Sequence, residues 1–157
     1  MDTIEFVISD QSKLSEVEGL WNKLRLHHLS HSVHFKERYA SLNFRTRIMP
    51  LLEKCKNGKL RVEVAWDKKL LIPIGYCISS VVFLTLPEGE IESLYIDDKY
   101  RGRKIGSQLM TNALAWMDEN EVRHRKIAVV AGNDETIPFY ETFGFFAKTI
   151  ILENKGI

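Results

Sequence analysis

Read along 157 residues, the order β-α-α-β-β-β-α-β-α-β predicts an α/β (α+β) fold, a single domain over residues 1–157 with a mixed sheet and helices packed on it. Three observations carry this. From Lys59 to Ile96, extended segments follow one another with only turns between them. At Gly102 the period changes, and Ile105, Leu109, Ala113 and Trp116 form an i, i+4 stripe. Hydrophobic residues make up 45% and charged residues 27%, the balance of a globular chain able to bury its own core.

In chain order, Thr3 to Ser9 alternates Ile4, Phe6 and Ile8 against Glu5 and Val7, and reads as the first strand. Asp10 or Ser12 caps a helix carrying Val17, Leu20, Trp21, Leu24 and His28, ending near residue 28 where Ser30 to His34 turns polar. Tyr39, Leu42, Ile48, Leu51 and Leu52 suggest a second helix over 36–56, interrupted by Pro50 and ended by Asn57-Gly58. Lys59 to Asp67 alternates around Leu60, Val62, Val64 and Trp66, and Asp67-Lys68-Lys69 marks a hairpin turn. Leu70 to Leu86 is apolar and β-branched enough for a central strand, and Pro87-Glu88-Gly89 turns into a fourth strand, Glu90 to Ile96. The helix after Gly102 lasts to about Asn120. Lys126 to Ala131 reads as a buried strand, Asp134 to Phe143 as a short helix, and Phe145 to Leu152 as a last strand.

Lys and Arg number 22 against 21 Asp and Glu, which argues against nucleic acid as a partner held by bulk charge. The apolar run Leu70 to Leu86 is broken by Pro73, Gly75, Ser79, Ser80 and Thr85, short of the roughly 20 residues a membrane span needs. The first residues show no basic and apolar leader pattern, so no signal peptide is expected. Two cysteines, Cys55 and Cys77, make no disulfide framework; Cys77 reads as a core residue, and the expected setting is a reducing cytoplasm.

The chemistry concentrates where the fourth strand meets the next helix, Ile91-Glu-Ser-Leu-Tyr-Ile-Asp-Asp-Lys-Tyr-Arg-Gly-Arg-Lys-Ile-Gly-Ser-Gln-Leu-Met110. Unpaired N–H groups and the helix dipole favour an anion at such a start, and Arg101, Arg103 and Lys104 add positive charge. Gly102 and Gly106 leave room for an anion against the backbone. Residues 102 to 107 contain neither a Walker loop nor G-x-G-x-x-G.

This stretch resembles the acyl-CoA pyrophosphate loop of the GNAT superfamily of N-acyltransferases, R/Q-x-x-G-x-G/A, with Arg101 first, Gly106 last, and Lys104 where Gly is usual. A second block, Asn133-Asp-Glu-Thr-Ile-Pro-Phe-Tyr-Glu-Thr-Phe-Gly-Phe145, is similar to the family's N-x-x-A-x-x-x-Y-x-x-x-G-F: Asn133, Tyr140, Gly144 and Phe145 fall in register, and Thr136 replaces Ala. The likeness is good over about residues 59 to 152 and implies a GNAT-like, mostly antiparallel central sheet with helices on both faces.

The resemblance implies acetyl-CoA as acyl-donor substrate and transfer of its acetyl group to a primary amine by direct attack in a ternary complex. It implies that the fourth strand leaves the fifth at Leu94, Tyr95 and Ile96. The backbones of Leu94 and Ile96 would pair with the pantetheine arm, and an N–H near Tyr95 or Ile96 would face the thioester oxygen. A preorganised donor at a developing oxyanion is worth on the order of 3–4 kcal/mol. Arg101, Gly102, Arg103, Lys104, Ile105, Gly106 and Ser107 would hold the pyrophosphate, and Asn133 would contact the cofactor arm, cap its helix, or both.

Glu90 and Glu92 share one face of the fourth strand, at positions where the family places acids, and either is a candidate base. A lysine-like amine with pKa near ~10.4 is neutral in only about 1 molecule in 2,500 at pH 7, so its proton must go somewhere. Tyr140 is the candidate donor to the departing thiolate; with reference values of ~10 and ~8.5 the transfer is uphill by about 2 kcal/mol.

His27, His28, His31 and His34 fall in the expected connection between the first two helices, where the family forms its acceptor pocket; their spacing matches no common ligand pattern, and no metal is expected. The acceptor is an amine-bearing small molecule or peptide. Dimers are frequent in the family, which puts a homodimer among the expectations. The competing function is a catalytically silent acyl-CoA-binding sensor or scaffold.

Overall fold

The computed structural model describes residues 3–156; Met1, Asp2 and Ile157, the ends of the predicted domain and the first residues of the leader reading, lie outside it. Strands β1 (Ile4–Ser9), β2 (Gly58–Asp67), β3 (Ile72–Phe83), β4 (Pro87–Ile96) and β5 (His124–Ile127) form one sheet in the order β1-β2-β3-β4-β5. All neighbours are antiparallel except β4 and β5, which are parallel across the crossover helix. The helices are α1 (Glu18–His31), α2 (Lys36–Ser41), α3 (Phe44–Lys54), α4 (Ile105–Glu119) and α5 (Ile137–Glu141).

Asp10 starts the first helical segment, its carboxylate accepting from the Ser12 N–H at 2.9 Å; a 3-10 stretch over Gln11–Val17 then runs into α1. α1 ends at His31, later than predicted, so His27, His28 and His31 ride on the helix and not in a connection. The single helix expected over 36–56 is two. Asn43 breaks it: its side chain accepts from the Thr46 N–H at 2.8 Å and starts α3 afresh, while Pro50 sits inside α3. Pro73 is accommodated within β3 at a bulge, where the register shifts between Ala65 and Trp66.

The two faces of the sheet bury separate apolar layers. Leu20 and Trp21 of α1 and Leu51 of α3 pack on Val62, Tyr76, Ile78 and Tyr95. Leu109, Met110, Ala113 and Met117 of α4 pack on Ile74, Cys77, Val81 and Ile91 on the other side. The alternation of Tyr76 and Ile78 against Cys77 is the period-two signature of a strand covered on both faces.

Three predicted boundaries move. Pro87, Glu88 and Gly89 belong to β4, and the turn lies just before them. β5 is His124–Ile127 instead of 126–131. The last strand expected over Phe145–Leu152 does not form. β5 ends at Ile127, leaving little edge to pair with, and the consecutive apolar Ile150, Ile151 and Leu152 lack the alternation that would bury one face of an added strand. They are 85%, 87% and 90% exposed. The tail is tied to α2 by Arg38, which donates to both Glu153 carboxylate oxygens at 2.8 and 3.0 Å. Among the described residues no helix is long and apolar enough to cross a membrane.

Candidate active site

The site begins where the sheet opens. β4 and β5 are paired from Glu88 with His124 to Ile91 with Ile127, and no further. Opposite Ile78 and Ser79 the register on β4 jumps from Ser93 to Ile91, leaving Glu92 as the extra residue of a bulge. The Asp97 N–H donates to the Ile74 carbonyl at 2.8 Å. Alternation along the antiparallel ladder then turns the Tyr95 backbone toward Tyr76 and the backbones of Leu94 and Ile96 away from β3, into the gap left by β5. The expected donor near Tyr95 or Ile96 therefore narrows to Ile96.

The gap leads to the start of α4. Gly102 has φ +78°, and Lys104, the residue before the helix, has φ +62° and ψ +19°. No side chain caps α4 and its first turn carries no acid, so its leading N–H groups are free for an anion. A Cβ at Gly106 would stand at ordinary contact distance, 3.5 Å from Phe139 Cζ and 3.7 Å from Ile96 Cγ1, so packing alone does not demand glycine there. Arg101 donates through Nε to the Ile96 carbonyl at 3.2 Å and lies over the Tyr95 ring, 5.7 Å from its centroid.

These residues line a cleft of about 630 Å³, among them Leu94, Tyr95, Ile96, Arg101, Gly102, Lys104, Ile105, Gly106, Ser107, Asn133 and Tyr140. Arg103 is not among them: its guanidinium lies 5.0 Å from the centroid of the Tyr100 ring, which does line the cleft. The rest of the predicted loop is gathered as one surface. Its cations Arg101 and Lys104, free N–H groups and open strand edge suit a long, phosphate-bearing thioester.

A second cavity, about 220 Å³, adjoins the cleft and is lined from α1 to α3 by Trp21, Arg25, His28, Tyr39 and Arg47, and from β4 by Glu92 and Ser93. Leu94, Asn133 and Tyr140 line both spaces. The junction is thus where the two reactants would meet. Burial pushes the Tyr140 hydroxyl up to about 12, with a smaller contribution from Cys77, so it stays a donor throughout the working pH range. Burial, then the neighbouring His27 and His31, lowers His28 to about 4 and keeps it neutral.

The two acids are not free. Glu92 Oε1 accepts from the Lys54 ammonium and from Ser80 Oγ at 2.8 Å, and Glu92 Oε2 lies 4.0 Å from Arg47 Nη2. Glu90 Oε2 accepts from Lys54 at 2.9 Å, with Lys126 at 3.8 Å. Burial works against the Lys54 charge, but hydrogen bonds to Glu92 and Glu90 more than offset it and raise its pKa. Of the pair, only Glu92 lines the smaller cavity. Asn133 caps no helix through its side chain; its Oδ1 accepts from His27 Nε2 at 3.1 Å.

Sequence reasoning places His28 in the acceptor-pocket region, and His28 lines the smaller cavity, but it missed Lys54, Arg47 and Tyr39. No local spacing marks them, because they reach the site from helices far along the chain.

The sequence model of the acetyltransferase (GNAT) family matches residues 25–145. The chain belongs to that family. Acyl transfer is the family's chemistry, and the GNAT match runs from within α1 to Phe145. None of the curated proteins compared with the chain matches at a significant level. Among solved structures, a GCN5-related N-acetyltransferase from Ralstonia eutropha JMP134 is similar with TM-score 0.73 and 19% identity, covering 96% of this chain and 97% of that one. A glucosamine-6-phosphate N-acetyltransferase from Arabidopsis thaliana has TM-score 0.61 and 14% identity, over 96% and 97%. An aminoglycoside antibiotic 6'-N-acetyltransferase from Acinetobacter haemolyticus has TM-score 0.67 and 14% identity, over 98% and 99%. At these identities the likeness is one of fold.

Proposed function

We propose that this GNAT protein is an acetyl-CoA-dependent N-acetyltransferase that moves an acetyl group to a primary amine by direct attack, working in the cytoplasm, where its two free cysteines stay reduced. The observation that carries the reading is the end of β4–β5 pairing at Ile91 and Ile127, which frees the Leu94 and Ile96 backbones beside the uncapped start of α4.

Leu94 and Ile96 extend the sheet with the pantetheine arm as an added strand. The leading N–H groups of α4, with Arg101 and Lys104, take the pyrophosphate. The Ile96 N–H supports the thioester oxygen as charge builds on it. The amine enters through the smaller cavity and its surplus proton leaves to water there. Lys54, Arg47 and Ser80 hold the Glu92 side chain in place, where it orients the amine. As nitrogen bonds to the acetyl carbon and the carbon–sulfur bond breaks, the Tyr140 hydroxyl hydrogen-bonds the departing sulfur. Full proton transfer from a group at about 12 to a thiolate near ~8.5 is uphill by about 5 kcal/mol, which favours hydrogen-bond support over donation.

The second reading, an acyl-CoA-binding sensor, is favoured by one observation: neither Glu90 nor Glu92 is a free base. Thiol release from acetyl-CoA over a broad amine panel separates the two. Amine-dependent release establishes the enzyme. Tight acetyl-CoA binding by calorimetry with no release over the panel establishes the sensor.

A further inference from the structure

Three ligand-bearing side chains meet at the rim of the cleft. His27 and His31 lie at i, i+4 on one face of α1, with ring centroids 4.1 Å apart and planes inclined by 29°. Glu135 comes from the segment after β5 and places Oε1 3.8 Å from His27 Nε2, the nitrogen that meets Asn133 Oδ1 at 3.1 Å and would exchange that contact for the ion. One ligand atom from each of the three lies within 4.8 Å of the others. Two ligand atoms about 2.0–2.2 Å from a tetrahedral ion sit roughly 3.3–3.6 Å apart, so small rotations of the exposed His31 and Glu135 side chains bring all three into range.

We propose that His27, His31 and Glu135 bind a divalent transition ion of the zinc, cobalt and nickel class.

Two further features prepare the cluster for an ion. His31 Nδ1 lies 2.9 Å from the His27 carbonyl oxygen and 2.9 Å from Ser30 Oγ. An Nδ1–H donating to that carbonyl leaves Nε2 with its lone pair outward, the tautomer that imidazole ligands take when a carbonyl holds the other nitrogen. The loop that brings Glu135 is docked against the end of α1 through Gly132, where a Cβ would stand 2.3 Å from the His31 carbonyl oxygen. Only glycine allows that approach, at φ +99°. The third ligand is therefore held beside the first two by backbone packing.

Two imidazoles and one carboxylate suit zinc, cobalt or nickel and discriminate against magnesium and calcium, which prefer oxygen. Three protein ligands leave the fourth position of a tetrahedral ion open for water. Because His27 and Glu135 also line the cleft, the ion joins α1 to the segment bearing Asn133 across the cleft mouth.

The test uses the full, tag-free chain, stripped with a chelator and titrated with Co²⁺ without acetyl-CoA. The expected result is a visible ligand-field band saturating at one equivalent, abolished by Zn²⁺ and unaffected by Mg²⁺. His31→Ala and Glu135→Ala should each weaken Co²⁺ binding by at least about tenfold while thermal melting confirms the fold, and His34→Ala should bind like the parent. No band, a band equally displaced by Mg²⁺, or binding unchanged in both His31→Ala and Glu135→Ala overturns the proposal.

Discussion

Arg101 donates through Nε to the carbonyl oxygen of Ile96 at 3.2 Å, joining the loop before α4 to the open edge of β4. The same guanidinium pairs with Asp98 at 2.9 Å and remains half exposed, so it can turn part of its donor set to an anion.

Arg101 and Arg103 should therefore behave differently. Losing a charge-assisted phosphate contact costs about 1.5–3 kcal/mol, so Arg101→Glu should weaken acetyl-CoA binding by tenfold or more. Arg103→Glu, at a side chain that lies over Tyr100 and does not itself line the cleft, should change affinity only a few-fold. Calorimetry on both variants checks this, and equal losses would put Arg103 in the phosphate site after all.

Lys104 sits in the left-handed region at φ +62°, which costs an L-residue roughly 1–2 kcal/mol. Lys104→Gly removes that strain and adds unfolded-state entropy, so the melting temperature should hold or rise slightly. Acetyl-CoA affinity should fall several-fold as a charge leaves the α4 start. A drop of several degrees in melting temperature would show that the Lys104 side chain itself stabilises the fold.

Tyr140→Phe keeps the ring and removes only the hydroxyl. With chemistry rate-limiting, kcat should fall by roughly 10- to 1,000-fold while acetyl-CoA affinity barely moves, because the ground-state sulfur accepts hydrogen bonds poorly. Full turnover in the variant would return Tyr140 to a packing role.

Glu92 and Lys54 should be coupled. Glu92→Gln leaves the half-buried Lys54 ammonium with Glu90 alone, and Lys54→Met leaves Glu92 with Ser80 and Arg47 and Glu90 with Lys126, so each should destabilise by about 1–3 kcal/mol. The double variant should lose less than the sum of the two. Denaturant unfolding of all four proteins measures the coupling, and strict additivity would mean that the pair contributes nothing to stability.

Alkali should unfold the protein from the inside. Burial raises Cys77 from 9.0 to about 11 and Tyr140 from 10.0 to about 12. Both folded values lie above the unfolded ones, so the folded state holds its protons longer. The stability this gives is fully present below pH 9 and is lost as pH rises toward 12. Cys77 alone accounts for about 2–3 kcal/mol of that loss, and Cys77→Ala should flatten stability between pH 9 and 11 in denaturant titrations.

Local chemistry made much of the fold legible. The alternation of Leu60, Val62 and Val64 is β2, the stripe from Ile105 to Trp116 is α4, and the Asp10 cap opens the first helical segment, because each depends on neighbours within a few residues. The same holds for the cleft: Arg101, Gly102 and Gly106 are adjacent in sequence and stay adjacent in space. Asn43 was a local signal too, but the apolar residues on either side of it read through the break.

By itself the sequence determined the family, the order of the five strands, α4 and α5, and the loop that faces the cofactor cleft, but not the division of residues 36–56 into α2 and α3. Only the tertiary structure decided that Lys54, 36 and 38 residues away, occupies both candidate bases, that Arg103 turns to Tyr100, and that Glu135 joins His27 and His31. It also decided that Phe145–Leu152 finds no strand to pair with. Each of these outcomes rests on side chains or edges brought together by packing from distant parts of the chain, and no local periodicity encodes such a meeting.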